Sequence, residues 1–183
     1  MDCDAIRSDL ERGGKPPAGL GGLYPDLMIV TRKRQRLIEA AKTEVTEVLL
    51  IEDNPGDTRL TLEAIRECDV PLNLNVFRDG FEAMAFLRRE GRYRAAERPA
   101  LILLDLKLPR KDGREVLAEI KGDPELRLIP VVVLSNSQSK DDIATAYGLY
   151  ANCYIRKPPD TDRLLAIVKS IEDFWLTKVR LPC

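Results

Sequence analysis

The chain has 183 residues with 29 Lys and Arg against 30 Asp and Glu, a formal net charge of −1, so no overall positive field exists to draw in nucleic acid or anionic lipid. Its 44% hydrophobic and 32% charged content is that of a folded globular protein rather than a disordered chain. There is no histidine, which excludes Ser-His-Asp, Cys-His and His-metal chemistry. The longest apolar runs are four or five residues, far short of the roughly 20 that cross a bilayer.

Residues 1–44 come first, with Gly13, Gly14, Pro16 and Pro17 followed by Gly19, Gly21 and Gly22. This composition predicts a flexible N-terminal extension. The first 20 residues hold no apolar stretch of the secretory kind, so a cytoplasmic address is expected. Arg32, Lys33, Arg34 and Arg36 then lead into Leu37, Ile38, Ala40 and Ala41, a solvated charged segment able to make one or two helical turns. No aromatic residue is interleaved there to stack on bases, so no nucleic-acid partner is expected.

Regular patterning begins at residue 45. Residues 45–51 form a β-branched and Leu-rich run that stops at Glu52, Asp53, Asn54, Pro55 and Gly56, a strand ending in an acidic loop. Asp57 is placed as the N-cap of an amphipathic helix carrying Leu60, Leu62, Ala64 and Ile65. Residues 72–77 predict a second strand and 81–87 a second helix, followed by a charged loop over 88–99. The continuous apolar run 100–104, ending at Asp105, has the character of a strand covered on both faces. A helix bearing Val116, Leu117 and Ile120 closes near Gly122 and Pro124; strand 130–134 follows, ended by Ser135. A helix over 141–150, a short strand at 153–155 and a helix over 161–175 complete the series. Cys3, Cys68, Cys153 and Cys183 stand far apart and read as ordinary thiols.

Strictly alternating strands and helices with short loops predict an α/β fold, a doubly wound five-stranded parallel sheet of (βα)5, flavodoxin-like type in the order 2-1-3-4-5. In such sheets ligand chemistry gathers at the carboxyl ends of the strands. Glu52 and Asp53 follow the first strand, Asp105 the third, Ser135 the fourth and Lys157 the fifth. Three carboxylates converging in one crevice repel each other unless a cation neutralises them, and oxygen ligands with room for water suit Mg2+. The same charge would screen a phosphoryl group and let Asp105 attack phosphorus. Lys157 supplies further positive charge. Without histidine the chain cannot carry a phosphohistidine, so the phosphodonor is a kinase partner or a small molecule.

The blocks Val48-Leu49-Leu50-Ile51-Glu52-Asp53-Asn54, Leu103-Leu104-Asp105-Leu106-Lys107-Leu108-Pro109 with Gly113, Val132-Val133-Leu134-Ser135 and Lys157-Pro158 resemble the signatures of two-component receiver domains. That resemblance implies a receiver domain over 45–176 and a tail over 177–183. It implies metal binding by Asp53, Asp105 and the Lys107 backbone carbonyl, with Glu52 helping through water. Asp105 becomes the phosphoacceptor, Ser135 and Lys157 the groups that meet the phosphoryl oxygens, and Ser135 with Tyr154 the switch pair. More narrowly, Asn54-Pro55-Gly56-Asp57, Ala151-Asn152-Cys153-Tyr154 and Ile171-Glu172-Asp173-Phe174-Trp175 resemble stand-alone regulators related to cyanobacterial phytochrome response regulators.

From that likeness the expected donor is a sensor histidine kinase, with a bacteriophytochrome as one candidate, and a homodimer and a downstream phosphotransfer protein are further candidate partners. The chain is expected to switch protein interactions and to act on no substrate but itself, with no C-terminal effector module after Trp175. A 44-residue leader is unusual for such domains, and Met28 offers an alternative start. Phosphorylation-independent binding by a pseudo-receiver is one alternative. A Mg2+-dependent phosphatase is another, although Lys107 stands where such enzymes carry a second Asp. Phe174 and Trp175 read as core or dimer contacts, and Tyr147 and Tyr150 as half-exposed surface.

Overall fold

The computed structural model describes residues 45–66 and 71–182. The Gly/Pro-rich extension, the basic segment and the thiols of Cys3, Cys68 and Cys183 lie outside the described residues. In chain order the elements are β1 (Thr46–Ile51), α1 (Pro55–Arg66), β2 (Leu72–Phe77), α2 (Gly80–Leu87) and β3 (Leu101–Leu104). Then come α3 (Gly113–Gly122), β4 (Val131–Ser135), α4 (Lys140–Gly148), β5 (Cys153–Arg156) and α5 (Thr161–Glu172). All strand pairs are parallel, in the order β2-β1-β3-β4-β5, as the alternation predicts.

The layering follows from the strand sequences. Side chains on a strand alternate between its two faces, and in β1, β3 and β4 both sets are apolar. Leu49, Ile51, Ile102, Leu104, Val131 and Val133 face one side, where Ala83, Met84 and Leu87 of α2, Val116, Leu117 and Ile120 of α3, and Ala146 of α4 cover them. Val48, Leu50, Leu101, Leu103, Val132 and Leu134 face the other, under Ile171 of α5. Ile65 of α1 joins that side around a small apolar gap shared with Val48, Leu101, Leu103 and Val168. Each fully buried Leu or Ile contributes about 1.5–3 kcal/mol through its removal from water.

Side-chain caps fix where most helices start. Asp79 accepts from the Phe81 and Glu82 N–H groups, Asp112 and Glu115 form a capping box, and Ser139 and Asp160 cap α4 and α5. These caps pair backbone donors that no helical carbonyl reaches. At α1 the cap differs from the sequence expectation. Asn54, not Asp57, accepts from the N–H groups of Gly56 and Asp57, because the helix already starts at Pro55, where a missing N–H costs nothing. Asp57 is thus carried into the first turn.

Three further expectations are refined. The charged loop after α2 contains a 3-10 turn (Gly91–Tyr93), held where the Tyr93 ring meets Phe77 and Phe86 edge-on. The last α-helix stops at Glu172 and widens into a π-helical turn (Asp173–Lys178). Trp175 and Leu176 of that turn pack on the α1/α5 side of the sheet, whereas Phe174 is exposed. Tyr147 is half-exposed as expected, but Tyr150 lies just beyond α4 and is 77% exposed.

Candidate functional site

The sheet ladder continues past the strand ends and positions the chemistry. Ile51 is level with Phe77 and Leu104, and Leu104 with Val133. Beyond them the Glu52 N–H donates to the Phe77 carbonyl, Asp105 N–H to Ile51 and Lys157 N–H to Ser135, each at 2.9 Å. Glu52, Asp105, Ser135 and Lys157 are therefore held by the same rigid hydrogen bonds as the core, and all four are buried. Asp53, one residue further, is exposed.

The Lys157 ammonium is the hub. It donates to Asp105 Oδ2 at 2.6 Å, to Asp57 Oδ2 at 2.9 Å and to Glu52 Oε2. Burial alone pulls the amine down, but the hydrogen bonds to Asp105 and Glu52 outweigh it and hold the pKa above the usual lysine value. Burial raises the Glu52 carboxyl from 4.5 to about 7, against the pull of Lys157. Three carboxylates, those of Glu52, Asp57 and Asp105, thus face one ammonium, with Asp53 a fourth beside Glu52 and Asp105.

That imbalance bears on metal binding. Glu52, Asp53 and Asp105 each offer an oxygen within 4.8 Å of the others. An all-oxygen donor set with one exposed member suits a hard divalent cation that keeps part of its water shell. The residues present fit such an ion.

Of the remaining predicted residues, Lys107 bonds Asp105 directly, while Ser135 and Tyr154 are joined through Ser137. The Lys107 N–H donates to Asp105 Oδ1 at 3.0 Å, so each carboxylate oxygen of Asp105 has one protein donor. Ser135 Oγ accepts from the Ser137 N–H at 3.2 Å. The Tyr154 hydroxyl donates to the Ser137 carbonyl at 3.0 Å, which makes Ser137 the link between the two expected switch residues. Ser137 also donates its hydroxyl to Asp142 at the start of α4, and Asp142 pairs with Arg114 of α3 at 2.6 Å.

Residues 48–169 match the response regulator receiver domain family. The chain belongs to this receiver family. Over 135 residues it is 50% identical to response regulator Rcp1 of Synechocystis sp., a match covering 74% of this chain and 92% of Rcp1. FilR2, a probable methanogenesis regulatory protein of Methanothrix harundinacea, is 40% identical over 136 residues, covering 74% of this chain and 86% of that protein. Among solved structures, the phosphorylated cyanobacterial phytochrome response regulator RcpA superposes with a TM-score of 0.75 at 55% identity, covering 76% of this chain and 100% of that one. The Mn2+-bound form of Rcp1 superposes with a TM-score of 0.74 at 48% identity, covering 75% and 99%. This receiver is therefore a response regulator of the Rcp1 type, with the acidic cluster at the strand ends that suits a divalent cation. Among the described residues, no helix is long and apolar enough to cross a membrane.

Two members of the receiver site were not singled out from the sequence. The sequence pattern marks Asp57 only as a cap, although its place four residues after Asp53, in the first turn of a helix leaving β1, brings it back over the strand ends. Ser137 carried one signal, its spacing two residues beyond Ser135.

Proposed function

We propose that the protein is a stand-alone response regulator that accepts a phosphoryl group on Asp105 from a sensor histidine kinase and thereby switches its protein contacts. The observation that carries this reading is the Asp105 carboxylate, buried and bonded by Lys157 and Lys107 beside two further carboxylates. An Asp105 oxygen attacks phosphorus, the bond from phosphorus to the donor's histidine nitrogen breaks, and that nitrogen leaves with the electron pair. Glu52, Asp53, Asp105 and the Lys107 carbonyl would hold Mg2+, which when bound supplies positive charge against the phosphoryl oxygens.

Within the chain, Lys157 turns an N–H to the transferred group and the Ser135 hydroxyl, which accepts from the Ser137 N–H, rotates its O–H to donate to it. Tyr154 follows Ser137, and the surface bearing Tyr147, Tyr150 and Tyr154 changes shape, altering self-association or partner binding. The stand-alone organisation is carried over from Rcp1, 92% of which the match spans. A bacteriophytochrome is the proposed kinase class, since RcpA is a phytochrome response regulator. A homodimer and a downstream phosphotransfer protein are the proposed partners, and the cytoplasm is the compartment that such a kinase requires. The chain catalyses only its own phosphorylation and dephosphorylation.

Transfer from an autophosphorylated histidine kinase tests this. Label should pass to wild type and not to Asp105→Asn; label passing equally to both would contradict the assignment.

A further inference from the structure

Lysine has three N–H donors and a flexible four-carbon stem, so one or two partners leave its head free to swing. Here the fold gives the Lys157 ammonium three carboxylates: Glu52 from the end of β1, Asp105 from the end of β3 and Asp57 from the first turn of α1. Asp57 is itself rigidly set. Its N–H is bonded to Asn54 Oδ1, and its carbonyl accepts from the Thr61 hydroxyl at 2.9 Å. Because Asn54 caps the helix, the Asp57 carboxylate is left for Lys157.

We propose that Asp57 is the positioning residue of Lys157: it takes one N–H from the α1 side and so aims the other two at Glu52 and Asp105. Asp57 touches no reacting atom in this arrangement and acts only through the amine. When Asp105 gains a phosphoryl group, one N–H must turn from carboxylate to phosphoryl oxygen, and the Asp57 contact keeps that turn short. This consequence rests on Asp105 as the phosphoacceptor; the placement of Lys157 rests on the geometry alone.

Phosphorylation by acetyl phosphate with saturating Mg2+ would be followed by intact mass for Asp57→Ala, Asp57→Asn, Lys157→Ala and the Asp57→Ala/Lys157→Ala double variant, with folding checked by circular dichroism. Asp57→Ala should slow adduct formation roughly ten-fold, the scale of losing one charge-assisted hydrogen bond. Asp57→Asn keeps an oxygen acceptor at the same reach and should recover most of that loss. In the Lys157→Ala background, removing Asp57 should change the rate by less than about two-fold, since coupled residues are not additive. Equal slowing in both backgrounds, or a loss explained wholly by weaker Mg2+ binding in calorimetry, would overturn the proposal.

Heteronuclear NMR of the lysine ammonium groups supplies a readout independent of phosphorylation. The Lys157 signal, assigned by its loss in Lys157→Ala, should be protected from exchange in wild type and broadened in Asp57→Ala; an unchanged signal would overturn the proposal. Absence of adduct on wild type would count against the phosphoacceptor reading instead, with the NMR comparison still deciding the role of Asp57.

Discussion

The Tyr154 hydroxyl donates to the main-chain carbonyl of Ser137 at 3.0 Å, while the Ser137 N–H donates to Ser135 Oγ at 3.2 Å. One residue therefore joins the hydroxyl at the end of β4 to the aromatic side chain of β5. Tyr154→Phe removes the donor and leaves the ring. It should cost about 0.5–1.5 kcal/mol, the usual net worth of one hydrogen bond, read as a lower urea midpoint with unchanged slope. No change in midpoint would mean that the contact is not maintained in solution.

The backbone at Asp105 depends on the absence of a side chain at Gly113. A Cβ there would lie 2.2 Å from the Asp105 carbonyl oxygen and 2.6 Å from Leu106 Cα, main-chain atoms that cannot move aside without shifting the acceptor. Gly113→Ala should destabilise by more than about 3 kcal/mol or prevent folding. Gly122, at the end of α3, meets nothing within 4 Å, so Gly122→Ala should stabilise by about 0.5 kcal/mol through the unfolded chain. Thermal unfolding of the two variants checks the contrast, and equal effects would contradict it.

Burial raises the Glu52 carboxyl from 4.5 to about 7, and the sign of the pH effect follows. A folded-state pKa above the unfolded value means that the folded protein binds the proton more tightly. The stability contributed by Glu52 is fully present below about pH 4.5 and is lost as pH rises through about 7. Glu52→Gln should remove this fall in metal-free protein, as read by unfolding at a series of pH values. A slope identical to wild type would contradict the assignment.

Mg2+ should act in the opposite sense. Ligand carboxylates bind a cation only when ionised, so the proton on Glu52 competes with it. Affinity measured by calorimetry should rise as pH passes from about 4.5 to about 7, and that rise should be reduced in Glu52→Gln. A Kd independent of pH across the window would count against Glu52 at the metal.

Most of the fold was legible because strands and helices alternate strictly and the central runs of β1, β3 and β4 are apolar on both faces, as strands of a doubly covered parallel sheet are. Glu52, Asp105 and Ser135 stand where an apolar run stops, and Lys157 directly after Arg156 at the end of β5, so all four were legible as strand-end groups. Residues that act through tertiary contact were not. Asp57 and Lys157 are 100 positions apart, and the cap competition between Asn54 and Asp57 was settled by Pro55 at the first helical position. The π-helical turn at Asp173–Lys178 was also hidden, because seating Trp175 and Leu176 on the sheet depends on packing that the helical periodicity does not contain.

The most direct test is intact-protein mass before and after incubation with acetyl phosphate and Mg2+, for wild type and Asp105→Asn. A single phosphoryl adduct on wild type alone, removed by hydroxylamine and absent when Mg2+ is chelated, is the predicted result. An adduct of equal yield on Asp105→Asn, or one that resists hydroxylamine, would contradict Asp105 as the acceptor.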